Sequence, residues 1–398
     1  MKNTWRFGER EFKYIKEVLD SGSGSGMSGD MNSRLEKAFA EKVGAKYAIT
    51  FNSGTSTLHA ALDAVSVGAG DEVIIQPLSP ISDINVILSQ NAVPVFTDID
   101  PDTFNIDVSD VEKRITGKTK AIMPVSLYGL PCDLDPIMEI AEKNNIYVIS
   151  DAAQAHMARY KDKGIAEIAH ITSYSLENSK HITTGEGGIV VTNNEAFATK
   201  MRKFGSLGFS NMTSGDGRVR LNKDIFQDPH YKRHDEFAYN YRMPEITAAM
   251  GLAQTERMEF FINLRIKVAE MYAQAIKECD YLVPQKVPEG YLNTYFCYTV
   301  KYERSDVSWQ SFRKKYIEFG GDGIYAAWAL IYEETFVASG KFKERAPYYY
   351  KDIEYRRGIC PVAEEIQPKL MQFVNNYGSL EEVEPKIDAL RKTIEFFK

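Results

Sequence analysis

Short apolar runs separated by helix-length stretches recur through the first half of the chain, and they constrain its fold more than any other feature. Residues 47–51, 70–77, 92–96, 121–129 and 146–150 read as strands. Runs of about five apolar residues without polar alternation are expected where helices cover both faces of a sheet. Helices are predicted over 12–20, 34–43, 57–65 and 135–144, so the fold class is α/β, a mostly parallel sheet flanked by helices. Residues 171–180 and 181–194 continue that domain as a strand and a glycine-turn hairpin. One long helix is predicted from about 245 to 275, with Pro244 near its start. It joins a large domain, 1–260 with the N-terminal segment 1–30 included, to a smaller C-terminal α+β domain, 261–398. In the smaller domain a strand is predicted near 295–301 and helices near 309–319 and 380–397, and no internal repeat is visible. The run SGSGSGMSGD at 21–30 has the composition of a flexible linker.

Composition narrows the function. A chain of 398 residues with 44% hydrophobic and 26% charged residues is globular, of two or three domains. Its 55 acidic residues against 48 basic ones leave no overall positive field for a phosphate backbone, so nucleic acid is not an expected partner. No apolar run approaches the roughly 20 residues needed to span a bilayer, and the first twenty residues lack a leader pattern. No membrane partner is expected, and a cytoplasmic location is. Cys132, Cys279, Cys297 and Cys360 form no CxxC pair and read as reduced thiols. His230 and His234 lack the glutamate of a metalloprotease helix and read as surface histidines, so no metal is expected.

Three positions carry candidate chemistry. Asn52-Ser53-Gly54-Thr55-Ser56 follows a strand and opens a helix, an arrangement that binds anions. Asp151 follows an apolar strand and belongs at the carboxyl edge of the sheet, where open α/β folds bind ligands; a helix cap for Ala152-Ala153 is the alternative. Lys180 follows the hydroxyl-rich strand Thr172-Ser173-Tyr174-Ser175. A lysine amine buried there is a candidate Schiff-base former, since burial favours its neutral form; a solvated surface lysine is the alternative. The glycines of Gly185-Glu186-Gly187-Gly188 lack dinucleotide-binding spacing, and Gly117-Lys118-Thr119 lacks the first glycine of a phosphate-binding loop.

Taken in order, these segments resemble the fold-type I, pyridoxal phosphate-dependent sugar aminotransferases known as the DegT/StrS family. The resemblance runs through NSGTSTLHAAL (52–62), GDEVI (70–74), PVFTDIDPDTFNID (94–107), LYGLPCDLDPI (127–137), SDAAQAH (150–156), SKHITTGEGGIVVTNN (179–194) and YNYRMPEITAAMGLAQ (239–254). It covers roughly residues 10–260. It implies Lys180 as the Schiff-base lysine and Asp151 as the partner of the pyridine nitrogen. Gln154 is implied beside the ring hydroxyl, Gly54, Thr55 and Ser175 at the phosphate, and Asn240 at the phosphate of a neighbouring subunit's cofactor. A homodimer with shared active sites is implied with them. Members with histidine in place of the lysine are similar to ketosugar dehydratases; the register puts Lys180 there, with His181 adjacent, which favours transamination.

The resemblance further implies L-glutamate as amino donor and a keto sugar, nucleotide-linked, as acceptor, in aminosugar and polysaccharide biosynthesis. Three departures bear on the acceptor. Pro80 and Ile81 stand where the family carries an aromatic residue against the cofactor ring. The stretch 205–240 is longer than usual and reads as a lid, a subunit contact or a solvated insertion. Residues 320–334 lack the family's histidine-containing substrate loop. The alternatives are therefore a free or phosphorylated keto sugar or small keto-phosphate as acceptor, or a non-catalytic, pyridoxal phosphate-binding regulatory protein.

Overall fold

The computed structural model describes residues 5–22, 24–215, 217 and 223–398. Its centre is a seven-stranded sheet of β1 (Tyr47–Phe51), β2 (Glu72–Ile75), β3 (Val93–Phe96), β4 (Thr119–Ile122), β5 (Tyr147–Asp151), β8 (Ile171–Ser175) and β9 (Gly188–Thr192), in the order β1-β9-β8-β5-β4-β2-β3. Only β9 runs against the others. A two-stranded ribbon, β6 (Arg159–Tyr160) with β7 (Lys163–Gly164), lies outside this sheet. The expected α/β class and mostly parallel sheet are what the chain forms.

Alternate side chains leave opposite faces of a strand, and here both faces are dry. Ile49, Phe51, Val73, Ile75, Ala121, Ile149 and Val190 enter one core, while Ala48, Ile74, Ile122, Val148, Ile189 and Val191 enter another. Helices α3 (Gly54–Ala64), α4 (Ile81–Ser89) and α7 (Glu195–Gly205) cover the first face. On the second lie α2 (Met31–Val43), α5 (Val108–Arg114), α6 (Leu134–Asn144) and α9 (Glu245–Glu256). Outside these come α1 (Glu9–Ser21) and α8 (Lys223–Gln227).

The C-terminal part holds α10 (Met258–Ile276), α11 (Trp309–Glu318) and α15 (Glu384–Phe396) against an antiparallel sheet. That sheet joins β10 (Leu282–Pro284), β11 (Tyr298–Tyr302), β13 (Leu370–Phe373) and β12 (Ile324–Ala326), with its own core around Tyr272, Val300, Phe312 and Leu390. The stretch between β12 and β13 carries the short helices α12 (Thr335–Ala338), α13 (Pro347–Tyr350) and α14 (Pro361–Ile366). Its Leu330, Tyr332, Tyr350 and Ala363 are buried with Phe96 and Ile87 of the large sheet's first face.

Three sequence expectations are corrected. The 121–129 run is not a strand throughout: β4 ends at Ile122, only a single bridge joins Val125 to Asp151, and 127–129 form a 3-10 turn with Tyr128 at φ 60°. Pro124 has no N–H to extend the ladder. The helix expected over 245–275 is two helices, broken at Arg257 with φ -107° and ψ 5°. The glycine-serine run is packed, not a free linker. A side chain at Gly26 would meet the Met243 carbonyl oxygen and one at Gly29 the Glu245 carboxylate, which accepts from the Met31 N–H at 2.8 Å and Asn32 Nδ2 at 2.7 Å.

One buried ion pair ties three of these elements together. Arg202 of α7 meets Glu36 of α2 with both guanidinium arms at 3.0 Å, and Glu36 Oε1 also accepts from the Thr50 N–H of β1 at 3.0 Å. Removing one partner of such a pair leaves an uncompensated buried charge at a cost of about 3–5 kcal/mol. Glu36→Leu should lose that much in denaturant unfolding, and Glu36→Leu with Arg202→Leu should recover most of it. Additive losses in the double variant would contradict the pairing.

Candidate active site

Parallel strands that end together bring residues distant in sequence to one edge. Phe51 at the end of β1 lies opposite Gly188, which lies opposite Ser175 at the end of β8, and Asp151 ends β5 opposite Ser173. The turn after β1 therefore enters α3 beside Ser175 and Asp151. Ser53 caps α3, its Oγ accepting from the Ser56 N–H at 3.1 Å. The first-turn N–H groups of Gly54 and Thr55 have no intrahelical acceptor and sit at the positive end of the helix. Glycine is needed there for close approach: a Cβ on Gly54 would stand 2.9 Å from Ser175 Cβ, and one on Gly188 would stand 2.4 Å from the Ser53 carbonyl oxygen. Gly54, Thr55 and Ser175 thus form one cradle with the donors an anion requires.

Asp151 is buried and accepts from the Ala153 N–H at 2.8 Å, while its backbone N–H donates to the Pro124 carbonyl at 2.9 Å. Burial raises its pKa, and the Ala153 N–H and the Lys180 charge oppose that rise. Gln154 is buried beside it. The Tyr128 N–H donates to Gln154 Oε1 at 2.8 Å, so the left-handed turn at Tyr128 fixes which end of the amide is free. Gln154 Nε2 has no hydrogen-bond partner among the described residues.

Lys180 is 9% exposed. Burial lowers its amine's pKa, against the raising influence of Asp151 and Glu177. Its Nζ stands 4.7 Å from the centre of the Phe296 ring. Its backbone carbonyl accepts from two buried arginines, Arg6 and Arg265, the latter at 3.2 Å. Arg265 also donates to the Ser179 carbonyl at 3.1 Å and the Phe296 carbonyl at 2.6 Å. His181 turns elsewhere, Nε2 meeting the Thr294 carbonyl at 3.0 Å and the ring packing on His156. The structure therefore brings Lys180, rather than His181, into the field of Asp151.

Of the residues singled out from sequence, Lys180, Asp151, Gln154, Ser175, Gly54 and Thr55 gather at this edge. Asn240 does not join them; it is exposed and bridges Ser206. Pro80 begins α4 and Ile81 is exposed. The 205–240 stretch lies partly outside the described residues; what is described doubles back, Phe209 pairing with His234 and Ser206 with Asn240. His230 and His234 are exposed and not helical. Arg6, Arg265, Phe296, Tyr128 and Asp83 come to the site without a local motif. Only the unusual burial demanded of Arg265, within the apolar face of a helix, marks one of them in the sequence.

The donor set fits pyridoxal phosphate: a cradle for its phosphate, a buried carboxylate for its ring nitrogen, an unpartnered amide N–H for its ring hydroxyl and a desolvated amine for its aldehyde. Among the described residues no group of three or more His, Cys, Asp or Glu side chains is placed to hold a metal, and no helix is long and apolar enough to cross a membrane.

Residues 6–373 match the DegT/DnrJ/EryC1/StrS aminotransferase family. A GDP-perosamine synthase from Escherichia coli O157:H7 is 39% identical over 267 residues, covering 67% of this chain and 68% of the relative. The spore coat polysaccharide biosynthesis protein SpsC of Bacillus subtilis is 34% identical over 294 residues, covering 74% and 73%. Among solved structures, an aminotransferase from Psychrobacter cryohalolentis superposes with a TM-score of 0.85 at 29% identity, covering 98% of this chain and 97% of that one.

Burial around the site sets a pH dependence. Burial pulls His156 down to about 3 and His59 to about 4, and His181 well below its ordinary value. These imidazoles stay neutral in the folded chain while the unfolded chain takes up protons below about 6.5. Each histidine should therefore take away about 1.4 kcal/mol of folding stability per pH unit as pH drops from about 6.5 toward 4, while the carboxyls of Asp83 and Asp63, whose pKa burial raises, act in the opposite direction. Comparing His156→Gln with wild type isolates one histidine: in urea unfolding of the cofactor-free protein the two slopes against pH should differ by one proton, and identical slopes would contradict the buried neutral state.

Proposed function

The chain belongs to the DegT/DnrJ/EryC1/StrS aminotransferase family, and from that membership we propose that it moves an amino group from L-glutamate to a nucleotide-linked keto sugar during aminosugar assembly. It is a pyridoxal phosphate-dependent aminotransferase with the fold-type I architecture. The observation that carries the reading is the Lys180 amine, buried beside Asp151 at the carboxyl edge of the sheet. The GDP-perosamine synthases related to it, at 39% and 40% identity, support a nucleotide-linked acceptor.

Bound pyridoxal phosphate supplies an electron sink for the carbanion formed at the donor's α-carbon. The protein's part is to bind, orient and move protons. The α3 N-terminus at Gly54 and Thr55, with the Ser175 hydroxyl, anchors the phosphate. Gln154 Nε2 would donate to the ring hydroxyl, and the Asp151 carboxylate would hold a proton on the ring nitrogen. Lys180 would be the covalent attachment point, and its free amine the base for the donor's α-proton. A base for that proton must be neutral, and burial lowers the lysine's affinity for its proton toward the working range. Arg6 and Arg265 hold the Lys180 main chain while the side chain works. Asn240 is assigned to the partner subunit's cofactor in a homodimer; its exposure, away from its own chain's cradle, supports that reading. The division into a large domain of 1–260 and a small one of 261–398 is kept as part of the proposal.

A second acceptor reading rests on residues 320–334, which lack a histidine-containing loop and instead expose Tyr325 and Trp328; it assigns a free or phosphorylated keto sugar.

Visible spectroscopy tests the proposal. Added pyridoxal phosphate should give the absorption of a lysine-bound cofactor, and L-glutamate should convert it to the amine form. A nucleotide-linked keto sugar should then restore it, whereas restoration only by a free or phosphorylated sugar would select the second reading. Lys180→Ala should abolish the bound-cofactor absorption, and Asp151→Asn should retain binding but slow transamination by about 100-fold or more. A bound-cofactor band that survives in Lys180→Ala would overturn the assignment.

A further inference from the structure

Asp151 has a second buried carboxyl against it. Asp83, in the first turn of α4, is fully buried, and its carboxyl lies in the field of the equally buried Asp151. From its own segment Asp83 meets two hydroxyls, Ser79 Oγ at 2.7 Å and Ser82 Oγ at 3.3 Å. From β5 it meets Asp151, which in turn faces the Lys180 amine and the buried Cys132 thiol. Two carboxyls thus share a dry site in which the Lys180 cation acts on Asp151, and like charges so placed do not both ionise. The single negative charge belongs on Asp151, which has Lys180 and the Ala153 N–H to stabilise it. Asp83 has only neutral hydroxyls and the helix end.

We propose that Asp83 is a positioning residue for Asp151, carrying the proton of the pair and donating it in an O–H hydrogen bond to the Asp151 carboxylate. This rests on the role given to Asp151 above. A carboxylate that already accepts one O–H bond is a weaker base and has one fewer free rotamer. A proton shared with the cofactor's ring nitrogen then resides on nitrogen, where the electron sink requires it. Burial first, and the Asp151 charge second, hold the Asp83 pKa well above the ordinary carboxylate range, in keeping with this protonation.

Infrared difference spectroscopy on the cofactor-free protein at pH 7 reads the proton directly. The proposal expects a protonated-carboxyl stretch that is present in the wild type, lost in Asp83→Asn and retained in Asp151→Asn. Its absence from the wild type, its survival in Asp83→Asn or its loss in Asp151→Asn would each overturn the proposal. Because the wild-type spectrum alone can refute it, the outcome does not hang on how well a variant folds. Nor does it require cofactor, so failure of the transaminase reading would register separately. Positioning is read by equilibrium binding of pyridoxal phosphate. Asp83→Asn keeps a donor and should bind within about threefold of wild type, while Asp83→Leu removes it and should bind about tenfold or more weakly. Wild-type affinity in Asp83→Leu would rule out the positioning role.

Discussion

A lysine amine taken out of water is the constraint on which the rest of the site depends. Desolvation penalises its charged form, and the surroundings of Lys180 both impose that penalty and limit it. Phe296 and the packed histidines exclude water, while Asp151 and Glu177 supply negative charge. Left with no opposing charge, the lysine would be stably neutral; left in solvent, it would be stably protonated. A nucleophile and base that must alternate between the two states needs the intermediate setting. The main chain must then be held firmly, because a side chain that moves through a reaction cannot also anchor its own backbone. Arg6 and Arg265 do so from the N-terminal segment and from α10, both donating to the Lys180 carbonyl. The N-terminal segment and α10 therefore take part in the candidate site.

Much of the fold and the core of the site was legible because it is local. Apolar runs of strand length give β1, β3 and β5 to within a residue at each end and place β2 inside a longer run, and the helix-opening turn at Ser53-Gly54 is readable from residue types alone. Lys180 and Asp151 were candidates from their positions near strand ends, and it was the family resemblance that favoured those roles over a surface lysine and a helix cap. What escaped was long-range. Arg6 and Lys180 are 174 positions apart, and no periodicity links them. Arg265 lies on a helix whose apolar pattern hides one buried cation. The stop of β4 turns on Pro124 and on a left-handed Tyr128, a conformation that bulky side chains rarely take and that composition does not announce. The glycine-serine run misled for a related reason. The same smallness that makes a free linker flexible lets a bound loop lie flush on the start of α9, and only the partner surface distinguishes the two.

Asp83 shows a further limit. An aspartate in the first turn of a helix is an ordinary sequence feature, favoured by the helix's partial positive charge. Asp110 occupies a first turn as well, but Arg114 stands four residues on and pairs with it at 3.0 Å, whereas Asp83 has Ile87 in that place. For Asp110 the Asp98 N–H and the Arg114 cation outweigh burial and lower the carboxyl's pKa; for Asp83, burial first and the Asp151 charge second raise it. The missing cation can be read one helical turn away, but the second buried carboxyl comes from a strand distant in sequence.

The site also divides by rigidity. The groups proposed to hold the cofactor stand on strand ends and a helix N-terminus, fixed by the sheet's hydrogen bonds and by cores on both faces. Such groups keep their geometry whatever the substrate, which is why chemistry common to a family can be read from them. Of the residues that depart from the family pattern, Pro80 caps α4, Ile81 is exposed in its first turn, Tyr325 is exposed on the short strand β12 and Trp328 is exposed just after it. Loops can change composition and length without disturbing the sheet. Under the proposed function, acceptor choice falls to positions such as these, outside the seven-stranded sheet, so a chain can keep the reaction of its family while changing the sugar on which it acts.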